Sequence, residues 1–176
     1  MTKQILIAGF GGQGVLFAGK FLSYKGMLDG KEVSWLPSYG PEMRGGTANC
    51  SVILSDDPVG SPIVSKPDIL IAMNLPSFDK YEMAVVPGGQ IYLDSTLIER
   101  KCTRTDVEVF YVPATKMASD AQIPTLANMI ILGKLMKECK EIPFENIENV
   151  LKKVVPQRKP ELYDLNLKAL HMGNDL

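Results

Sequence analysis

The chain has little of what redox and metal chemistry usually needs. Its 176 residues include three cysteines, Cys50, Cys102 and Cys139, and a single histidine, His171. No two cysteines lie close together in sequence. Iron–sulfur and zinc sites generally take paired thiolates at short spacing, so this chain alone offers neither. An odd count gives no disulfide framework either. The three cysteines read as partly buried thiols, and His171, near the end of the chain, carries no expectation of catalysis. An excess of charge is also missing. The formal net charge is -1 with 22% charged residues. No basic stripe forms, which argues against nucleic acid as a partner. Lys152-Lys153 and Arg158-Lys159 are short and read as solvated helix ends. Long apolar runs are absent too. ILIAGF near the start is too short for a signal peptide and leads into glycines. No stretch approaches the roughly 18–20 apolar residues of a membrane span. The expectation is a cytoplasmic protein with no membrane partner.

What is present is a balanced globular composition, 45% hydrophobic, in a length suited to one domain, residues 1–176. Ile5–Ala8 reads as a buried strand, Gly9–Gly12 as a turn, and Gln13–Leu28 as a helix. Lys31–Leu36 reads as a second strand, completing a βαβ unit with a right-handed crossover. Further strands are expected at Ala48–Leu54, Asp68–Met73, Gln90–Asp94 and Val107–Val112. A short helix is expected at Ser77–Ala84, with turns at DDPVGSP and VVPGG. Beyond Pro113 the chain turns helical. Thr125–Lys137 is apolar enough for a core helix. Ile147, Val150, Leu151 and Val154 mark one helix face, and Pro156 ends that helix. A last helix spans about Pro160–Met172, with Gly173 as its C′ residue. The fold class is α/β: a Rossmann-like, doubly wound, mostly parallel sheet with a helical C-terminal part.

GFGGQG, following QILIA, matches G-x-G-x-x-G at Gly9, Gly11 and Gly14. In a dinucleotide fold these glycines permit a tight turn, close approach to a pyrophosphate, and close helix–strand packing. Helix-start amides then face an anion. A site comprising Gly9, Gly11, Gly12, Gln13 and Gly14 therefore suits an anion, coenzyme A or a partner. The other half of a nicotinamide site is missing. An acidic residue should end the second strand and hold the ribose hydroxyls. Here that strand ends in Trp35-Leu36-Pro37-Ser38, while Asp29 and Glu32 come too early. A tight βα turn without a nucleotide explains the same glycines.

PSYGPEMRGG, Pro37–Gly46, is the second unusual segment. Prolines stiffen it, and its glycines allow close approach of another group. Tyr39, Gly40, Pro41, Glu42, Arg44, Gly45 and Gly46 form a candidate partner or ligand loop. Arg44 could offer a fork to phosphate or carboxylate. An ordered structural loop is the other reading.

The chain resembles the gamma subunit of 2-oxoacid:ferredoxin oxidoreductases. The resemblance rests on GFGGQGV, PSYGPEMRGGTANCSVILSD, PDILIAMN, VPAT, NMIILGKL and NLKALHMG, and so covers almost the whole chain. It implies a subunit of an enzyme that oxidatively decarboxylates a 2-oxoacid to acyl-CoA and passes electrons to ferredoxin. It also implies that thiamine diphosphate, Mg, Fe–S clusters and CoA belong to the whole complex, with none bound by this chain alone. The implied partners are alpha and beta subunits and a ferredoxin-like delta subunit. No catalytic or metal-ligating residue is expected here. GFGGQG and the loop are expected to share the C-terminal edge of the sheet, facing the thiamine subunit or CoA. An isolated chain is expected to pair with itself, since large apolar patches rarely stay bare. A free-standing nicotinamide- or flavin-dependent reductase, and a non-catalytic ligand-binding domain, are the alternatives. The substrate leaning is to 2-oxoglutarate or 2-oxoisovalerate, with pyruvate also in range.

Overall fold

The computed structural model describes residues 1–38 and 47–176. Its centre is a six-stranded sheet in the order β2-β3-β1-β4-β5-β6. The strands are β1 (Thr2–Phe10), β2 (Glu32–Ser38), β3 (Thr47–Ser55), β4 (Ile69–Ala72), β5 (Gln90–Asp94) and β6 (Glu108–Val112). β3 runs antiparallel to both β1 and β2. β1, β4, β5 and β6 are parallel neighbours. The sheet is therefore mixed, with β3 alone reversed.

Each strand's sequence fits its place. β4, ILIA, is buried at every position, as expected for a parallel strand covered on both faces. Alternate side chains build two cores. Ile5, Ile7, Cys50, Val52, Leu54, Ile69, Ile71 and Tyr92 face the larger one. Leu6, Leu70, Ala72, Ile91 and Leu93 face the smaller one, with Phe78 and Ile98. The sheet is thus wound on both sides.

The helices are α1 (Val15–Leu28), α2 (Leu75–Tyr81), α3 (Ala114–Asp120), α4 (Ala127–Glu138), α5 (Ile147–Val154) and α6 (Pro160–Asn174). The larger core takes side chains from α1 and α3–α6, and the smaller from α2. α1 has apolar residues almost all round, as its position between the sheet and other helices requires. α5 buries Ile147, Val150, Leu151 and Val154, the face its spacing predicts, and leaves Lys152 and Lys153 exposed.

Three expectations are corrected. First, Gly9 and Phe10 belong to β1, and α1 starts at Val15 rather than Gln13. The antiparallel partner β3 extends β1 by pairing Gly9 with Ala48 and Phe10 with Thr47. Second, the expected βαβ unit β1-α1-β2 has its two parallel strands, but they do not pair with each other, because β3 lies between them. Third, Gly173 is no C′ residue. It lies buried inside α6, and a Cβ there would overlap the carbonyl oxygen of Ile130 on α4. Gly133 on α4 reciprocates, since its Cβ would overlap the carbonyl oxygen of Leu170. The pair lets the two helix backbones touch.

Candidate functional site

β1 hands over to α1 through Gly11–Gly14. Gly9 has no room for a side chain: a Cβ would lie 2.6 Å from Gln13 Oε1, 3.0 Å from Val15 Cγ2 and 3.1 Å from Met73 Cβ. Gly12 and Gly14 have φ of 92° and 72°, a region L side chains rarely adopt. Gln13 locks the turn. Its Oε1 accepts the Phe10 N–H at 2.6 Å, and its Nε2 donates to the Met73 carbonyl at 3.0 Å. One amide thus ties the end of β1 to the end of β4, where backbone pairing stops.

Gly14 caps α1 in the left-handed conformation, with no side chain to offer and no acid in the first turn. The first turn of α1 thus supplies no counter-charge of its own to the positive end of the helix dipole. Asn128, opening α4, donates from Nδ2 to the Gly14 carbonyl at 3.0 Å. Its Oδ1 is buried without a partner among the described residues.

Beside the turn lies a cleft of about 200 Å³, lined by Gly12, Gln13, Met73, Leu97, Thr115, Pro124, Thr125 and Ala127. It sits between the ends of β1 and β4, where the chain leaves for opposite faces, through α1 on one and α2 on the other. Open α/β sheets place ligands at such a switch point. Asp94, fully buried at the end of β5, shapes the far wall. It accepts the Thr96 N–H at 3.1 Å, the Thr115 N–H at 3.3 Å and the Thr115 hydroxyl at 2.5 Å. Asn74 does the same after β4, accepting the Ser77 N–H at 2.8 Å.

Among the described residues, no titratable side chain lines this cleft. The cysteines give no nucleophile there: burial pushes the Cys50 thiol up to about 12. Burial, with Glu141 adding to it, pushes Cys139 up to about 11. His171 stands edge-on to Phe144 in the helical layer. Among the described residues, no group of three or more His, Cys, Asp or Glu is placed to hold a metal. No helix there is long and apolar enough to cross a membrane. A larger cleft of about 580 Å³ lies at the opposite edge, beside Met83 and Arg104. Its guanidinium is already spent on Asp106 and the Glu82 and Val85 carbonyls.

The strand order around the turn differs from that of a nicotinamide fold. Nicotinamide folds put the second strand beside the first, so that its terminal acid reaches the ribose. Here the neighbour of β1 on the β2 side is β3, running the other way, and β2 is one strand further out.

The structure brings Gly9, Gly11, Gly12, Gln13 and Gly14 together at the C-terminal edge. The predicted loop residues Tyr39, Gly40, Pro41, Glu42, Arg44, Gly45 and Gly46 lie outside the described residues. The flanking strand ends are placed: Ser38 pairs with Asn49, and Thr47 with Phe10. Both therefore lie at the edge that carries the glycine turn. Sequence reasoning missed Asn74, Asp94, Thr115 and Asn128 as parts of this edge. Three of them do carry a signal, a lone polar residue at the end or start of an apolar run.

The family profile described as Pyruvate ferredoxin/flavodoxin oxidoreductase matches residues 4–176. The chain is 36% identical to 2-oxoglutarate synthase subunit KorC of Methanocaldococcus jannaschii, covering 100% of this chain and 94% of that protein. It is 38% identical to ketoisovalerate oxidoreductase subunit VorA of Methanothermobacter thermautotrophicus, covering 97% of this chain but 35% of that protein. The chain thus spans about a third of VorA. Among solved structures, the keto/oxoacid ferredoxin oxidoreductase gamma subunit from Geobacter sulfurreducens superposes with a TM-score of 0.81 at 29% identity, covering 97% of this chain and 95% of that one. The same α/β fold, the full-length profile match and the full-length relatives agree: the chain belongs to the pyruvate ferredoxin/flavodoxin oxidoreductase family, as a subunit of the gamma type.

Proposed function

We propose that residues 1–176 form the one gamma-type domain of a thiamine diphosphate-dependent 2-oxoacid:ferredoxin oxidoreductase and contribute no reacting group to it. The observation that carries this is a family match over residues 4–176, joined to a switch-point cleft that has no titratable side chain among its described lining residues. In this reading alpha and beta subunits hold thiamine diphosphate and Mg, and a ferredoxin-like delta subunit holds Fe–S clusters. Thiamine diphosphate supplies the carbanion chemistry of decarboxylation, and the clusters carry electrons to ferredoxin. The product is an acyl-CoA, and the setting is the cytoplasm.

This chain's own contribution is placement. The glycine turn, held by Gln13 and Asn128, keeps the positive end of α1 open at the C-terminal edge. That end suits one phosphate or carboxylate, from CoA or from a neighbouring subunit. Tyr39–Gly46, with Arg44, is the proposed partner or ligand loop, supported by the strand ends that flank it, Ser38 and Thr47, which lie at the same edge. The 2-oxoacids favoured are 2-oxoglutarate and 2-oxoisovalerate, because the similar proteins KorC and VorA carry those names. An isolated chain pairs with itself.

The test is a drop-out. A complex assembled without this chain loses CoA-dependent, oxoacid-driven viologen reduction, and adding the chain back restores it. The isolated chain shows no quenching or shift on titration with NADH, NADPH, FMN or FAD. Saturable binding of any of these would return the free-standing reductase.

A further inference from the structure

The sheet has two outer strands, β2 and β6, and they close it differently. β2 contains Pro37, which has no N–H to offer a further strand, a common way to blunt the side of a sheet. β6 reads EVFYV, strand-forming residues with no proline, glycine or lysine. Its inward groups are fixed by their bonds. The Asp106 and Val112 carbonyls accept the Gly88 and Ser95 N–H, and the Glu108 N–H donates to the Gly89 carbonyl. Peptide groups alternate along a strand, so Phe110 also faces β5, while the N–H and C=O of Val109 and Tyr111 face outward. No backbone hydrogen bond among the described residues engages those outward groups. Tyr111 is 36% exposed, and Phe110 is held in place by stacking on Tyr92 at 4.8 Å. β6 is thus an ordered apolar strand with its outer side unpaired, the arrangement that templates another strand.

We infer that β6 is the contact strand for a second copy of this chain, the two strands pairing antiparallel about a two-fold axis at Phe110. The inference rests on the reading that an isolated chain pairs with itself, and names the surface. Geometry selects the register. Strands related by a two-fold axis are antiparallel, and outward residues set opposite each other exchange both their bonds. With Phe110 opposite Phe110, Val109 meets Tyr111 of the partner copy and Tyr111 meets Val109. Every outward group of Val109 and Tyr111 is then satisfied within β6. Sliding one step one way sets Val109 against Pro113, which has no N–H. Sliding the other way sets Tyr111 against Val107, outside β6. Charge agrees with this register. Glu108, exposed, becomes the diagonal neighbour of the partner copy's Phe110, and Lys134 stands 5.6 Å over that ring. Lys134 Nζ uses two of its three donors, on Glu138 and the Leu176 carbonyl, so the third is left for the incoming acid. The contact joins two six-stranded sheets into one. Because the paired strands oppose, the two glycine turns point away from each other and stay open to other subunits.

The test uses the full chain. Sedimentation of the parent is compared with Val109→Pro, Tyr111→Pro and Leu36→Lys, the last on β2 where Leu36 is 41% exposed. The Val109 and Tyr111 N–H make no bond to β5, so proline at either place leaves the inner ladder intact. Amide exchange on the unaltered chain gives a second readout that no folding defect can disturb. The expected result is a parent of two chains, a dissociation constant raised about tenfold or more in both proline variants, and no change in Leu36→Lys. The Val109 and Tyr111 amides slow about tenfold or more as the parent is concentrated into the paired range, while Phe110 is slow throughout. A pair that persists in both proline variants, or fast exchange of both amides in the paired parent, overturns the inference and leaves self-pairing to another surface. Dissociation by Leu36→Lys alone moves the contact to β2 and overturns it too. Slow exchange of these amides only in the co-expressed complex gives β6 to a subunit of other sequence, and so contradicts the second copy. A parent that sediments as one chain at every concentration refutes the self-pairing reading itself.

Discussion

At the scale of single residues, Gln13 and Gly14 decide whether the turn exists. Gln13 makes two hydrogen bonds that no backbone group replaces. Gln13→Ala is expected to cost about 1–2 kcal/mol, since the exposed Phe10 N–H can turn to water while the part-buried Met73 carbonyl loses its donor. Urea unfolding measures it, and a loss within error would show the turn is held by the glycines alone. Gly14→Ala combines a left-handed φ of 72° with a Cβ overlapping Asn128. About 1–3 kcal/mol is expected, and Asn128→Ala should relieve part of it, because only the overlap is removed. The cysteines make a separate prediction. Burial raises Cys50 from 9.0 to about 12. A thiol that keeps its proton in the folded state stabilises fully below its unfolded value. Stability should therefore fall as pH rises from about 9 towards 12. At pH 8, thiol reagents should modify Cys102, the one partly exposed cysteine, well before Cys50 or Cys139. Equal rates at all three would contradict the burial.

At the scale of elements, the close backbone approach of α4 and α6 depends on Gly133 and Gly173, neither of which has room for a Cβ. Gly173→Ala drives a methyl into the Ile130 carbonyl and should cost about 3 kcal/mol. That corresponds to a fall of roughly 6–12 °C in Tm for a chain this size. A terminal C′ glycine would have cost about 1 kcal/mol, so the melting curve separates the two roles. This is also where sequence reading ran short. Periodicity located β5 at Gln90–Asp94 and the buried face of α5, because burial on one side writes a local pattern. Gly173 looked like a terminator since it followed an apolar run, and nothing local showed that a second helix lay against it. β3 was legible as a strand but not its position. Its insertion between β1 and β2 depends on pairing with both, a long-range fact. The glycine turn was legible in type and place, and the missing ribose acid was informative. The partners that hold the turn, Met73 and Asn128, lie 60 and 114 residues from theirs, beyond what spacing conveys.

At the scale of the molecule, the architecture argues for a part rather than a whole. Two packed cores, a rigid turn and an open positive helix end make a scaffold with a shaped edge, and that edge carries no acid–base or metal chemistry among its described residues. The measurement that tests this most directly is purification of the tagged chain from its own host, followed by oxoacid-driven viologen reduction on the eluate. The account predicts that subunits carrying thiamine diphosphate and Fe–S clusters come with it, and that 2-oxoglutarate or 2-oxoisovalerate drives CoA-dependent reduction. A chain that elutes alone, binds a nicotinamide or flavin, and reduces no viologen with any 2-oxoacid would contradict it.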